Sequence, residues 1–304
     1  MIQINEYFHG VRETQRLGWS IESPEFIPED YLTQQFFVVF RTCHSFGDWA
    51  IISAMPRLLK EQYPHATVAI PSPTLLRQMY PTGIWTNKHD DFHSNVVEVF
   101  ANNPHVDGMI DSLHNMPVYH DHFRIYNPAN LNIPLTEQML TFWRFKPEQI
   151  VNSAPELYWS AEEKKEGDQV IGHLYGDKPF GFLYIDDSFF EVHDPGRELL
   201  DYKRKRIQEK IDEFGDLNWM YYAGKPISET VYRTKSVAVD VRQIDVSKRV
   251  QNYIKSKSLV IIGHQGGYGT DCMSRYPKLG CFVLPNAATQ INEHFIRSTH
   301  YILP

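Results

Sequence analysis

Hydrophobic and polar positions along this chain fall into two successive stretches of alternating strand and helix pattern, one before about residue 160 and one after it. In the first stretch, residues 36–40 read Phe-Phe-Val-Val-Phe, apolar on both faces, as a central parallel strand must be. The spacing predicts a helix over 48–63. Ile51, Ile52, Met55, Leu58 and Leu59 lie on one stripe and 60–62 on the solvent side, and Pro56 inside the helix predicts a bend. Strand 68–70 and a short helix over 74–80 follow, then strands over 96–100 and 106–110. Residues 112–150 are rich in His, Asn and Pro, with one helix near 135–143. Long irregular segments of this kind commonly carry substrate contacts or lids.

The second stretch opens with a helix over 161–174 and a buried strand over 180–185. A charged helix within 197–214 and strands over 218–222 and 237–241 follow. A helix over 246–257, with Val250, Tyr253 and Ile254 inward, leads to strands over 259–262 and 281–284. Such alternation is the signature of parallel sheets wound by right-handed crossovers, so the fold class is α/β. A boundary within 155–178 divides the chain into domains 1–160 and 161–304, the first with an aperiodic extension over 1–34.

Composition narrows the function classes. A chain of 304 residues, 42% hydrophobic, has material for two medium α/β domains. Lys and Arg number 30 against 37 acids, so the net charge of -7 gives no general attraction to nucleic-acid backbones or anionic lipid. Cys43, Cys272 and Cys281 are too few and too scattered for a disulfide framework or a Cys-x-x-Cys zinc site, which fits a reducing cytoplasm. The first residues lack a basic start with an apolar core, and no uncharged apolar run approaches the roughly eighteen residues that would span a bilayer. A soluble, cytoplasmic protein with no transmembrane segment is expected.

Four groups of residues could carry chemistry. Ser45-Phe46-Gly47-Asp48 lies where the first strand gives way to helix, the place where α/β folds put their sites. There Asp48 is either a helix cap or a general base that takes a proton from an attacking hydroxyl, and Gly47 would let the chain turn and a substrate approach. Gly263-His264-Gln265-Gly266-Gly267-Tyr268-Gly269-Thr270-Asp271 follows a buried strand. Its glycines and a following helix start would receive a diphosphate on backbone amides, or form a plain tight turn; the spacing is not the dinucleotide fingerprint. Lys225, at the exit of strand 218–222, reaches a phosphate or is solvated surface, and Asp186-Asp187-Ser188 bind a metal or ribose or cap the next element. Finally, His120 and His122 would share one face of a strand, near His114 and Asp121, as in some metal sites; acceptor contacts or plain surface are the other readings.

With these residues in view, the chain resembles the bacterial ADP-heptose:lipopolysaccharide heptosyltransferase family. The resemblance rests first on Val38-Val39-Phe40-Arg41, Phe46-Gly47-Asp48 and Ser53-Ala54-Met55-Pro56-Arg57-Leu58-Leu59-Lys60-Glu61-Gln62-Tyr63-Pro64. Asn103-Pro104-His105-Val106-Asp107-Gly108-Met109-Ile110 is similar to its Pro-x-Val-Asp segment, Pro155-Glu156-Leu157 to its approach to the second domain, and residues 258–267 to its donor loop. Where the family's loop carries an Asp and a later His, this chain has Gln265 and Thr270. The resemblance spans most of 36–285.

It implies a GT-B glycosyltransferase, with two Rossmann-like domains facing a central cleft. The acceptor would lie mainly on the first and the nucleotide-sugar on the second, with no obligatory metal and no cofactor beyond the nucleotide-diphosphate sugar as co-substrate. Asp48 takes the family's position of the base in an inverting displacement. The diphosphate leaving group would lie on the amides of Gly266, Gly267 and Gly269 in the loop with Gln265 and Tyr268, helped by the Thr270 hydroxyl and Lys225. The expected partners are a nucleotide-sugar donor and a glycan or lipid-linked glycan acceptor. Alternatives are a sugar-nucleotide epimerase or hydrolase on the same scaffold, a non-catalytic nucleotide-sugar or glycan-binding module, and a transferase acting on a modified nucleic-acid base, whose sole support is Lys203-Arg204-Lys205-Arg206.

Overall fold

The protein is described by a computed structural model covering residues 36–40, 46–79, 92–111, 133–134, 136–137, 140, 145–185, 197–223, 233–234, 239–264, 273–284 and 299–301. These fall into two compact units, one ending at Tyr158 and one starting at Trp159.

The first unit is built on a parallel sheet in which β1 (Phe36–Val38), β2 (Thr67–Pro71) and β3 (Gly108–Ile110) lie in that order. Phe37, Val68 and Ile70 are fully or almost fully buried, as the unbroken apolar run of a covered strand requires. Asp107 latches the start of this sheet. Its Oδ2 accepts the Val68 amide at 2.7 Å and its Oδ1 accepts Lys60 Nζ at 2.6 Å. Burial opposes ionisation of this carboxyl, but the Lys60 bond, the Val68 amide and the Lys60 charge outweigh it and hold its pKa below the ordinary value. A depressed folded-state pKa contributes stability that is complete above the unfolded value, about 3.9, and lost as pH falls through the folded one. Asp107→Asn is therefore expected to lower thermal stability at neutral pH, with the gap to wild type closing below about pH 4. Melting curves across the acid range check this.

Helices α1 (Phe46–Ile51) and α2 (Met55–Gln62) replace the single bent helix that the periodicity predicts. Pro56 has no N–H to give to a preceding turn, so it occupies the first turn of a new helix, where that donor is not needed. Residues 52–54 form the turn that separates the two. Helix α3 (Pro73–Met79) agrees with expectation to within a residue. The predicted strand over 96–100 is instead α4 (Asn95–Phe100). Val96, Val99 and Phe100 are its buried positions, a spacing of three and four that only a helix turns to one side.

Among the described residues the second unit has six parallel strands: β4 (Phe180–Ile185), β5 (Asn218–Ala223), β6 (Val239–Asp240), β7 (Val260–His264), β8 (Gly280–Leu284) and β9 (Thr299–Tyr301). Their order is β6-β5-β4-β7-β8-β9. The helices here are α5 (Ala161–Tyr175), α6 (Arg197–Glu213) and α7 (Lys248–Ser256). Ser160 opens α5 with a capping box: its hydroxyl accepts the Glu163 amide while Glu163 accepts the Ser160 amide. One sheet face, with Leu183, Trp219, Tyr221, Val260, Ile262 and Leu284, is covered by Ile207 and Ile211 of α6. Trp219 lies flat across Gly181 of the neighbouring strand, where a Cβ would come within 2.4 Å of the indole, so only glycine fits. Of the strand predicted over 237–241, residues 237 and 238 lie outside the described ones, Val239–Asp240 form β6, and residue 241 opens a 3-10 turn, Val241–Gln243.

Candidate functional site

Because β1, β2 and β3 run parallel, the segments that follow them leave from one edge of the first unit's sheet, the edge where α/β folds place ligands. Asp48 follows β1. It is half-buried and sits in the first turn of α1, third from its start. The cap position therefore falls before Phe46, outside the described residues, which removes the reading of Asp48 as the cap itself. Gly47 is buried inside the helix and has no positive φ, so the expected sharp turn at this glycine is not where the structure has it.

The helix that carries Asp48 is clamped. Trp49 is fully buried with its ring edge-on to Phe100, centroids 6.2 Å apart. At the other end of α1, the Ser53 hydroxyl donates to the Ala50 carbonyl at 2.6 Å and the Thr136 hydroxyl donates to that of Ile51 at 2.7 Å. Glu156, 3% exposed, donates its backbone N–H to Ser53 Oγ at 2.7 Å, and its carboxylate accepts Arg57 Nε at 3.0 Å and the Tyr158 hydroxyl at 2.8 Å. These contacts hold the backbone of the helix that carries Asp48 before any ligand arrives.

Sequence reasoning missed a pair of polar residues at the same edge. Ser72 follows β2 and Asp111 follows β3, and the serine hydroxyl donates to Asp111 Oδ1 at 2.5 Å. The rule that singled out Asp48, a polar residue just past a buried strand, applies equally to both.

In the second unit, counting the strands from one to six in chain order gives 3-2-1-4-5-6, the arrangement of doubly wound dinucleotide-binding sheets. The direction of winding reverses at β4 and β7, neighbours that pair in parallel from Gly181–Val260 to Tyr184–Gly263. Their carboxyl ends, Ile185 and His264, lead into Asp186-Asp187-Ser188 and into Gln265, Gly266, Gly267, Tyr268, Gly269 and Thr270. Those residues lie outside the described ones, as do Lys225, His114, His120, Asp121 and His122.

Two lysines are buried in this unit, Lys255, which the sequence did not mark, and Lys203 of the basic run. Lys255 is fully buried, donates to Asn252 Oδ1 at 3.2 Å, and has its ammonium 5.3 Å from the Phe182 ring centroid and 5.9 Å from that of Tyr222. Lys203 shares the inward stripe of α6 with Ile207 and Ile211. The basic run that could suggest nucleic acid is thus divided: Lys203 points inward, Arg204 lies 3.7 Å from Asp201, and Lys205 and Arg206 both pair with Glu209. Among the described residues no group of three or more His, Cys, Asp or Glu could hold a metal ion, and no helix is long and apolar enough to cross a membrane.

No protein-family model matches the chain, and no curated protein matches it. Among solved structures it is similar to a glycosyl transferase family 9 protein from Veillonella parvula DSM 2008, at 10% identity over 88% of this chain and 85% of that one, with a TM-score of 0.44.

Proposed function

We propose that this chain is a nucleotide-sugar-dependent glycosyltransferase that moves a hexosyl, heptosyl or pentosyl group to an acceptor hydroxyl with inversion and without an obligatory metal. The observation that carries this reading is the strand order of the second unit, whose reversal at β4 and β7 has its carboxyl side at the start of the glycine-rich segment. A parallel sheet of this order binds nucleotides outside the strand ends at the reversal. In this reading the amides of Gly266, Gly267 and Gly269 receive the donor's diphosphate, with Gln265, Tyr268, the Thr270 hydroxyl and Lys225 around it. Support for the transferase class comes from the heptosyltransferase-like segments at 38–64, 103–110 and 258–267, and the similar solved structure bears a glycosyltransferase name.

Asp48 is the base. As the acceptor oxygen attacks the anomeric carbon, the bond from that carbon to the diphosphate oxygen breaks, the acceptor proton passes to the Asp48 carboxylate, and the nucleoside diphosphate leaves with the electron pair. Charge grows on the departing oxygen during this step, so fixed amide donors lower the barrier more than they strengthen ground-state binding.

Product analysis tests the reading. The protein is incubated with nucleoside-diphosphate sugars, with and without saccharides. Nucleoside diphosphate released together with a new glycoside, only when a saccharide is present, is the expected result. An isomerised donor would point to an epimerase, donor cleavage without a saccharide to a hydrolase, and binding without turnover to a recognition module.

A further inference from the structure

We propose that Asp111, oriented by Ser72, is a hydroxyl-binding subsite for a saccharide on the first unit, an assignment that rests on the glycosyl-transfer reading for that saccharide's role as acceptor. The two aspartates flanking β3 make the case by contrast. Asp107, at the amino end of the strand, has both carboxylate oxygens engaged, one by Lys60 and one by the Val68 amide, and serves the fold. Asp111, at the carboxyl end, is exposed and uses one oxygen, Oδ1, for Ser72; among the described residues nothing binds Oδ2.

Ser72 leaves that carboxylate little freedom. The serine is 6% exposed, its N–H donates to the Ile110 carbonyl at 2.9 Å, and its oxygen accepts the Leu75 amide at 3.1 Å. With the oxygen so occupied, the hydroxyl hydrogen goes to Asp111. An exposed aspartate normally pays rotamer entropy when it grips a ligand, and here that cost is met in the free protein. The open oxygen accepts and cannot donate, so the ligand must bring donors. One carboxylate oxygen is too few for a calcium ion, which takes six to eight oxygens, whereas it suits one sugar hydroxyl. The site stands at the strand edge that α/β folds use for ligands, two strands from the one that leads to Asp48.

The test is saturation-transfer NMR with the methyl glycosides of glucose, galactose, mannose and N-acetylglucosamine, on wild type, Asp111→Ala, Asp111→Asn, Ser72→Ala and the double variant with Ser72→Ala and Asp111→Ala. A thermal-shift series with nucleoside diphosphates runs beside it. Wild type should bind at least one glycoside. Asp111→Ala and Asp111→Asn should each weaken it about tenfold, the usual worth of a hydrogen bond to a charged group. Ser72→Ala should weaken it several-fold alone and add nothing on top of Asp111→Ala, because it acts only through that carboxylate. Nucleoside-diphosphate affinity should be unchanged throughout. Equal glycoside binding by wild type and both Asp111 variants overturns the subsite, and so does a wild type that binds no glycoside or an equal loss of glycoside and nucleotide. Asp111-dependent glycoside binding in a protein that takes no nucleoside diphosphate would keep the subsite and sink the transferase reading.

Discussion

Replacing Asp48 by asparagine is expected to cut glycosyl transfer at least a hundredfold, within the usual range for loss of a positioned general base. Asparagine has the size of aspartate and keeps a carbonyl oxygen, so the first turn of α1 and the packing of Trp49 below it should survive. What it cannot do is accept the acceptor's proton. The change also removes a negative charge near a helix start, where charge and dipole attract by about 0.3–1 kcal/mol. Folded protein should therefore melt close to wild type while turnover per folded molecule collapses. Initial rates and melting curves on the same preparations separate the two effects. A variant that loses some stability and no rate would leave Asp48 as a helix-start charge and nothing more.

The second large effect concerns the scaffold of the second unit. Trp219→Ala is expected to destabilise it by about 3–5 kcal/mol, the cost of emptying a site built around a large aromatic. Trp219 is fully buried, contacts the Leu183, Ile207 and Val260 cluster, and roofs Gly181. Its indole N–H has no hydrogen-bond partner among the described residues, so the loss is one of packing and not of a polar contact. Because Gly181 supplies no side chain to fill the space, the cavity cannot close by a small shift. Trp219→Phe should recover more than half of the loss. Urea titration of both variants measures this, and an alanine variant as stable as wild type would mean that the β4–β5 contact is not as described.

Much of this architecture is legible in the chain because buried parallel strands are short, unbroken apolar runs. The run at 180–185 coincides with β4, and those at 68–70, 218–222 and 281–284 lie within one or two residues of β2, β5 and β8. Residues 96–100 show where that rule fails. Three β-branched valines and a phenylalanine in five positions satisfy a buried strand and one helical stripe equally, and only the burial of Val96, Val99 and Phe100 decides for the helix. Pro56 was legible as an interruption, though not as the first turn of a second helix, since both place a proline at the same point in the apolar stripe. β9, Thr299-His300-Tyr301, has strand-favouring Thr and Tyr but is too short a run to stand out in the sequence, and it is defined by its pairing with β8. Ser72 and Asp111 stand 39 residues apart, and their bond exists because β2 and β3 are neighbours, a fact that pairing creates and local pattern does not contain. Lys203 is a similar case: a basic run suggests a solvated face, while the four-residue spacing to Ile207 and Ile211 turns this one lysine inward.

The measurement that reaches the central claim most directly is the anomeric configuration of the transferred sugar, read by NMR on the glycoside formed from a nucleoside-diphosphate sugar and a saccharide. A single displacement with Asp48 as base predicts a configuration opposite to that of the donor. Retention of the donor's configuration, or the absence of any glycoside across the donors and saccharides tried, would contradict it.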